Sequence, residues 1–445
     1  MMSMQCVESY QILQRGGDGF ADVPLCGALP ADCAADARVF ARAVREDDNS
    51  AAVPWQPCET GEGRWRASLR VPEGGLYRLE ACAQADGAPF EWCPRIFIAR
   101  HVGVGDLYLL TGQSNMAGYG RDAAYDPPCL GVHLYANNGR WDVAAHPLND
   151  SVGTIYPENA EYTSGVSPAL AFAKALLRRL GVPIGLVQAS LGGSPLSAWH
   201  PEEDGTLYRA MLRRLDVVGP VRGVLWYQGC TDAMENLGEG YLGRFARMAE
   251  LWRERLGPVP FLTVQLNGRA HGPENAEAED RQWGLVREAQ RQAARRLPAV
   301  FVVPTADLAI GDGIHNTAPS NIAIGERLAA EALRGVYGKG GFRAPDVRDV
   351  RRAGEDAVLV RFEDGRGVLA QDPTAQGFDV EDADGLAPCV SAETRPDGIL
   401  LRTARPFSSP ARFHALWRCV SAGYFPRDRE GLPMLACCGV PVEEA

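Results

Sequence analysis

Gly105-Asp106-Leu107-Tyr108-Leu109-Leu110-Thr111-Gly112-Gln113-Ser114-Asn115-Met116 is the stretch from which the fold is read. Residues 107–110 are short and apolar, and Thr111-Gly112 breaks the run, which predicts a buried strand rather than a helix. Ser114 then stands just past the carboxyl end of a strand, where open parallel sheets place their ligands. Gln113 and Asn115 flank it with hydrogen-bonding side chains that a purely structural turn does not require. Both are candidate substrate-binding residues.

Downstream, strands alternate with helices. The helical spacing of Leu170, Ala173, Leu176, Leu177 and Leu180 predicts a helix over 168–180, ended by Gly181-Val182-Pro183. Further strands are read at 184–187, 223–227, 261–266 and 300–303, with helices at about 207–215, 277–296 and 320–336 between or after them. Leu242, Phe245, Met248, Ala249, Trp252 and Leu256 form one stripe of a long amphipathic helix. Five strands alternating with helices predict an α/β fold with a parallel sheet and helices on both faces. Loops after those strands converge on one edge.

The flanks differ. Residues 1–103 carry short alternating segments, such as 64–71 and 76–83, and Pro72-Glu73-Gly74-Gly75 reads as a turn joining antiparallel strands. A small β-sandwich is expected there, serving as a scaffold or, alternatively, as a sugar-binding module. Residues 341–445 return to β patterning at 357–362, before the turn Glu363-Asp364-Gly365, and at 398–402. The expected organisation is an N-terminal β-sandwich-like domain (1–103), a catalytic domain (104–340) and a C-terminal β domain (341–445).

With 46% hydrophobic and 23% charged residues, the composition is that of a globular chain. A net charge of −11 argues against a nucleic-acid partner. No segment has the length of a membrane span, so no membrane partner is expected. Residues 1–14 lack a basic segment followed by an apolar run, and a cytoplasmic protein without a signal peptide is expected. The twelve cysteines form no Cys-x-x-Cys pair, so reduced thiols and no metal site are expected.

Three further strand-end sequences join the one holding Ser114. Gly192-Gly193-Ser194 offers a backbone N–H that can approach a ligand with no side chain in the way. Trp226-Tyr227-Gln228-Gly229-Cys230 puts a glutamine at the tip of an apolar strand, where it has to meet a partner or the substrate. Asp312-Gly313-Ile314-His315 places an acid three residues before one of only seven histidines. A serine hydroxyl becomes a nucleophile when a neighbouring imidazole takes its proton and a carboxylate holds the imidazole in the right tautomer. The oxyanion that forms requires aimed donors, here the N–H groups of Ser114 and Gly193 and the amide of Gln228. Asp312 can reach His315 in one tight turn; Asp307 is the alternative orienting acid and otherwise caps the loop. Trp199, Trp226 and Tyr227 form either an aromatic wall for a sugar ring or core packing.

In this order, Gly-Gln-Ser-Asn-Met (112–116), Gly-Gly-Ser-Pro-Leu-Ser-Ala-Trp (192–199), Trp-Tyr-Gln-Gly (226–229) and Asp-x-x-His (312–315) resemble the blocks of the sialate O-acetylesterases, within the Ser-Gly-Asn-His (SGNH) hydrolase class. Residues 166–177 and 425–435 fit as well. The resemblance implies a flavodoxin-like three-layer α/β/α catalytic domain flanked by β-sandwich regions. It implies cofactor- and metal-free removal of acetyl groups from an acetylated sugar through an acyl-enzyme. Ser114 would be the nucleophile, His315 the base and Asp312 the orienting acid, with Gly193 and Gln228 as oxyanion donors. Two positions depart from the pattern. Cys230 replaces the usual glutamate, and His315 leads into Asn316-Thr317-Ala318-Pro319-Ser320-Asn321 instead of a proline and a lysine-containing segment.

A conventional α/β-hydrolase is disfavoured by the missing second glycine of a nucleophile elbow, and a nucleotide-binding fold by the missing phosphate loops. The alternatives retained are an esterase for acetylated xylan or another plant glycan, and a non-catalytic carbohydrate-binding protein.

Overall fold

The apolar run at 107–110 is the inner end of a much longer strand, Arg95–Gly112. The computed structural model describes residues 6–30, 37–85, 87–161, 165–270, 273–363, 367–369, 374–420 and 425–444. In the first half of that strand, residues 95–104 pair with Gly74–Gln84 of the N-terminal region. The second half is the centre of a parallel sheet. The strand therefore crosses, unbroken, the position at which the sequence places a boundary near 103.

The sheet runs Trp141–Val143, Val132–Tyr135, Ile184–Gln188, Arg95–Gly112, Gly223–Tyr227, Phe261–Val264, Val300–Val303. Numbered along the chain, the five strands legible in the sequence lie in the order 2-1-3-4-5, the flavodoxin-like arrangement whose switch point falls between strands one and three. Ser114 and Gly229 sit just beyond those two strand ends. Two strands come in addition: Val132–Tyr135, parallel, and Trp141–Val143, antiparallel at the edge.

Alternate residues of each strand enter different cores. Leu107, Leu109, Val187, Val224, Trp226 and Phe261 pack with residues of the helices Thr206–Val218, Tyr241–Leu256 and Ala276–Arg296. Tyr108, Leu110, Ile184, Leu186, Leu225 and Leu262 pack with the helices Pro168–Leu180 and Ala318–Gly335. Both of the latter start at a side-chain cap: Ser167 Oγ accepts from Ala169 N–H, and Thr317 Oγ1 from Ser320 N–H.

The flanks differ from expectation in two respects. Residues 72–75 do not join paired strands. Arg64–Pro72 pairs with Phe20–Ala28, whereas Gly74–Gln84 pairs with Arg38–Arg45, so the turn carries the chain from one sheet of the N-terminal sandwich to the other. Val23, Leu69, Leu79 and Val102 fill the space between these sheets. The C-terminal strands form a closed seven-stranded barrel rather than a sandwich, sealed by parallel pairing of Val350 with Val442. Closure leaves no open edge, and Val350, Val358, Val380, Leu401 and Phe413 fill the interior. The turn expected at 363–365 falls mostly outside the described residues. No helix among the described residues is long and apolar enough to cross a membrane.

Candidate active site

Gly112 decides where Ser114 stands. Its φ is +110°, and a Cβ there would lie 2.2 Å from Tyr227 O, so only glycine lets the first strand end against the third. Gln113 N–H donates to Tyr227 O (2.8 Å), and a single helical turn, Ser114–Ala117, follows. Ser114 is thereby its first residue, and its backbone N–H has no acceptor among the described residues.

His315 arrives from the loop after Val300–Val303. Asp312 Oδ1 accepts the backbone N–H groups of Ile314 (3.1 Å) and His315 (2.8 Å), winding 312–315 into a tight turn. The other carboxylate oxygen accepts from His315 Nδ1 at 2.7 Å. That bond fixes the tautomer, leaving Nε2 to accept from Ser114 Oγ, 2.9 Å away. Burial opposes ionisation of Asp312, but the bonds from the His315 ring and from the His315 and Ile314 N–H groups outweigh it and hold the carboxyl below the ordinary range. Asp307 lies elsewhere: its carboxylate is buried against Arg327 and Arg427, and it neither reaches His315 nor caps the loop through N–H groups.

The Gly192-Gly193 turn is tied to the same strand end. Leu191 N–H donates to Gly112 O (3.0 Å), and Ser194 Oγ donates to Leu191 O (2.9 Å). Gly193 has φ +66°, is exposed, and no atom lies within 4 Å of where its Cβ would be. Its carbonyl accepts from Thr231 Oγ1 (3.2 Å), and its N–H has no acceptor among the described residues.

Gln228 does not join them. Its side chain is fully buried, with Nε2 donating to Asp232 Oδ2 (2.5 Å) and Ser194 O (3.2 Å) while Oε1 accepts from Tyr241 (2.9 Å). A buried amide meets partners of its own in the core and faces no oxyanion. The aromatic wall is likewise core. Trp199, Trp226 and Tyr227 are at most 1% exposed. Trp199 and Trp226 meet edge to face at 5.8 Å, and Trp199 Nε1 supports the glycine turn from beneath through Ser194 Oγ (3.0 Å). The Tyr227 hydroxyl accepts from Asn316 Nδ2 (3.0 Å).

Gln113 and Asn115 are also buried, and they hold loops. Gln113 Oε1 accepts from the N–H groups of Gly229 and Cys230, both at 3.0 Å. Asn115 Oδ1 accepts from Asn316 N–H (3.0 Å), which anchors the segment following His315. Cys230 fills the position of the family glutamate as an apolar group, 1% exposed, its thiol pushed by burial up to about 12.

Three residues of the site escape sequence reasoning. The Tyr119 ring stacks on His315, with centroids 4.4 Å apart. Glu161 accepts from Tyr119 (2.5 Å) and from Gly192 N–H (2.8 Å). Asn267, gripped through its carbonyl by Arg287, donates from Nδ2 to Ile314 O at 2.7 Å. Only Asn267, a polar residue shortly after a predicted strand, carries a signal in the sequence.

The carboxyl edge of the parallel sheet thus presents a serine, a histidine and an aspartate joined by hydrogen bonds. The family model described as carbohydrate esterase, sialic acid-specific acetylesterase, matches residues 104–334, and the chain belongs to that family. A crystal structure of a carbohydrate acetylesterase from Xanthomonas citri superposes with a TM-score of 0.68 at 25% identity, covering 96% of this chain and 97% of that one. A protein of Arabidopsis thaliana named a probable carbohydrate esterase is 27% identical over 251 residues, 51% of this chain and 90% of its own length. Human sialate O-acetylesterase is 25% identical over 291 residues, 53% of this chain. The match spans only 54% of the human protein.

Proposed function

We propose that the chain is a serine esterase that removes O-acetyl groups from sugars, sialic acids foremost, through an acetyl-enzyme on Ser114. The observation that carries this is His315, bonded to Ser114 Oγ at 2.9 Å and to Asp312 at 2.7 Å. Ser114 Oγ attacks the acetyl carbonyl carbon as Nε2 takes its proton, and Asp312 stabilises the imidazolium. The oxyanion meets the N–H groups of Ser114 and Gly193. The carbonyl then re-forms, expelling the sugar oxygen, which takes the proton from Nε2. A water deprotonated by His315 attacks the acetyl-serine, and acetate leaves with Ser114 restored.

An acidic sugar is supported by the family match and by Arg121. This exposed guanidinium lies 5.1 Å over the ring of Tyr119, which itself covers His315. It offers a cation beside the site for a sialic acid carboxylate. The test is acetate release from O-acetylated sialic acid, acetylated xylan and a neutral acetylated hexose, with Ser114→Ala beside the wild type. Turnover fastest on the sialic acid and absent in the variant is expected. Preference for xylan would reassign the substrate, and activity in Ser114→Ala would remove the mechanism.

A further inference from the structure

The carboxylate of Glu161 lies behind the relay and holds two parts of the site at once. Oε2 accepts from Gly192 N–H (2.8 Å) and from Asn149 Nδ2 (3.0 Å). Oε1 accepts from the Tyr119 hydroxyl at 2.5 Å, and the Tyr119 ring lies on the His315 imidazole at 4.4 Å with 28° between planes. Burial and the bond to Glu161 push the Tyr119 phenol up to about 12, so it stays a donor. The backbone of Glu161 is clamped by Ser151 Oγ, which accepts from its N–H (2.7 Å) and donates to its carbonyl (2.6 Å). At Gly192 a Cβ would stand 2.1 Å from Glu161 Oε1, so the turn and the carboxylate are in direct contact.

We propose that Glu161 is a positioning residue that fixes the Gly192-Gly193 turn and the plane of His315 relative to each other. It never touches the ester; it keeps the oxyanion N–H of Gly193 and the Nε2 of His315 at a constant separation across Ser114. This rests on the roles given above to Ser114, His315 and Gly193. The requirement is reach rather than charge. A glutamine at 161 keeps both arms, its oxygen accepting from Gly192 and Asn149 while its Nε2 donates to the Tyr119 oxygen. An aspartate keeps the charge but withdraws the carboxylate by one carbon–carbon bond, about 1.5 Å.

The experiment compares kcat and KM on 4-nitrophenyl acetate for wild type, Glu161→Gln, Glu161→Asp, Tyr119→Phe and Ser114→Ala, with a melting curve for each. A misplacement of about 1 Å costs up to about 10²-fold, so Glu161→Asp should lose about 10- to 100-fold in kcat and Glu161→Gln no more than about fivefold, both with KM within about twofold. Glu161→Asp matching or exceeding Glu161→Gln overturns the proposal, as does a loss confined to KM. Should Glu161→Asp melt below the assay temperature, Tyr119→Phe decides: a fall in kcat alone supports the proposal and an unchanged kcat overturns it. Activity in Ser114→Ala defeats the underlying reading instead, whatever the Glu161 variants do.

Discussion

Replacing Gln228 by alanine separates an oxyanion donor from a core amide. Alanine removes the bonds to Asp232 (2.5 Å), Ser194 O (3.2 Å) and Tyr241 (2.9 Å). The bond to the carboxylate is worth about 1.5–3 kcal/mol and each neutral one about 0.5–1.5. Some partners keep alternatives: Tyr241 can still donate to the carbonyl of residue 228 (3.2 Å), and Asp232 still accepts from Leu196 N–H and Arg244, both at 2.9 Å. With the cavity left by the side chain, the net destabilisation comes to about 3–5 kcal/mol. At about 2–4 °C per kcal/mol for a domain of this size, the melting temperature should fall by roughly 6–20 °C. At a temperature where the variant is folded, kcat on a chromogenic acetate should stay within about fivefold of wild type, whereas loss of an oxyanion donor costs about 10²–10³-fold. A hundredfold loss of kcat with unchanged melting would return Gln228 to the oxyanion site.

Other perturbations test other parts of the site. Asp312→Asn should lower kcat by about 10²–10⁴-fold by favouring the wrong tautomer of His315, with melting little changed because the side chain is half exposed. Asp312 has its pKa lowered by folding, so its contribution to stability is present above the unfolded carboxylate pKa of about 3.9 and is lost as pH falls through the lower folded value. An acid unfolding transition centred above pH ~5 that shifts in Asp312→Asn would contradict this. Asp307→Asn breaks a buried carboxylate's pairs with Arg327 and Arg427 and should cost about 3 kcal/mol in unfolding titrations, with kcat retained. Cys230→Ser should stay active, and iodoacetamide should not inactivate the native wild type, since burial holds that thiol at about 12. Arg121→Ala should raise KM for O-acetylated sialic acid several-fold and leave a neutral acetylated sugar unaffected.

The parallel sheet was legible because its strands are buried on both faces and read as continuous apolar runs between glycines and prolines. Val132–Tyr135 escaped because it is four residues long with His133 in its middle, a polar residue made tolerable by a bond from Nδ1 to the distant carbonyl of Tyr10 (2.6 Å). Ser114, His315 and Asp312 were legible because two of them share one turn and all follow strand ends. Gln228 was misread for a physical reason: a glutamine at a strand tip requires partners, and sequence does not show that Asp232, one helical turn on, supplies one. The aromatic residues at 199, 226 and 227 carry the same ambiguity between ligand wall and core, resolved for the two tryptophans by the helix Tyr241–Leu256, whose Trp252 packs against both, and for Tyr227 by the core on the opposite face of the sheet. Tyr119 and Glu161 reach the site from loops without periodicity, so no local pattern announces them.

Trapping the nucleophile shows whether Ser114 carries the acyl group. The protein would be treated with an activated dialkyl phosphate ester and the modified peptide located by mass spectrometry, with His315→Ala and Ser114→Ala in parallel. One phosphoryl group per chain is expected, on Ser114, slowed by orders of magnitude in His315→Ala and absent in Ser114→Ala, with loss of esterase activity tracking the label. Full inactivation with the label on another residue, or complete labelling in Ser114→Ala, would contradict it.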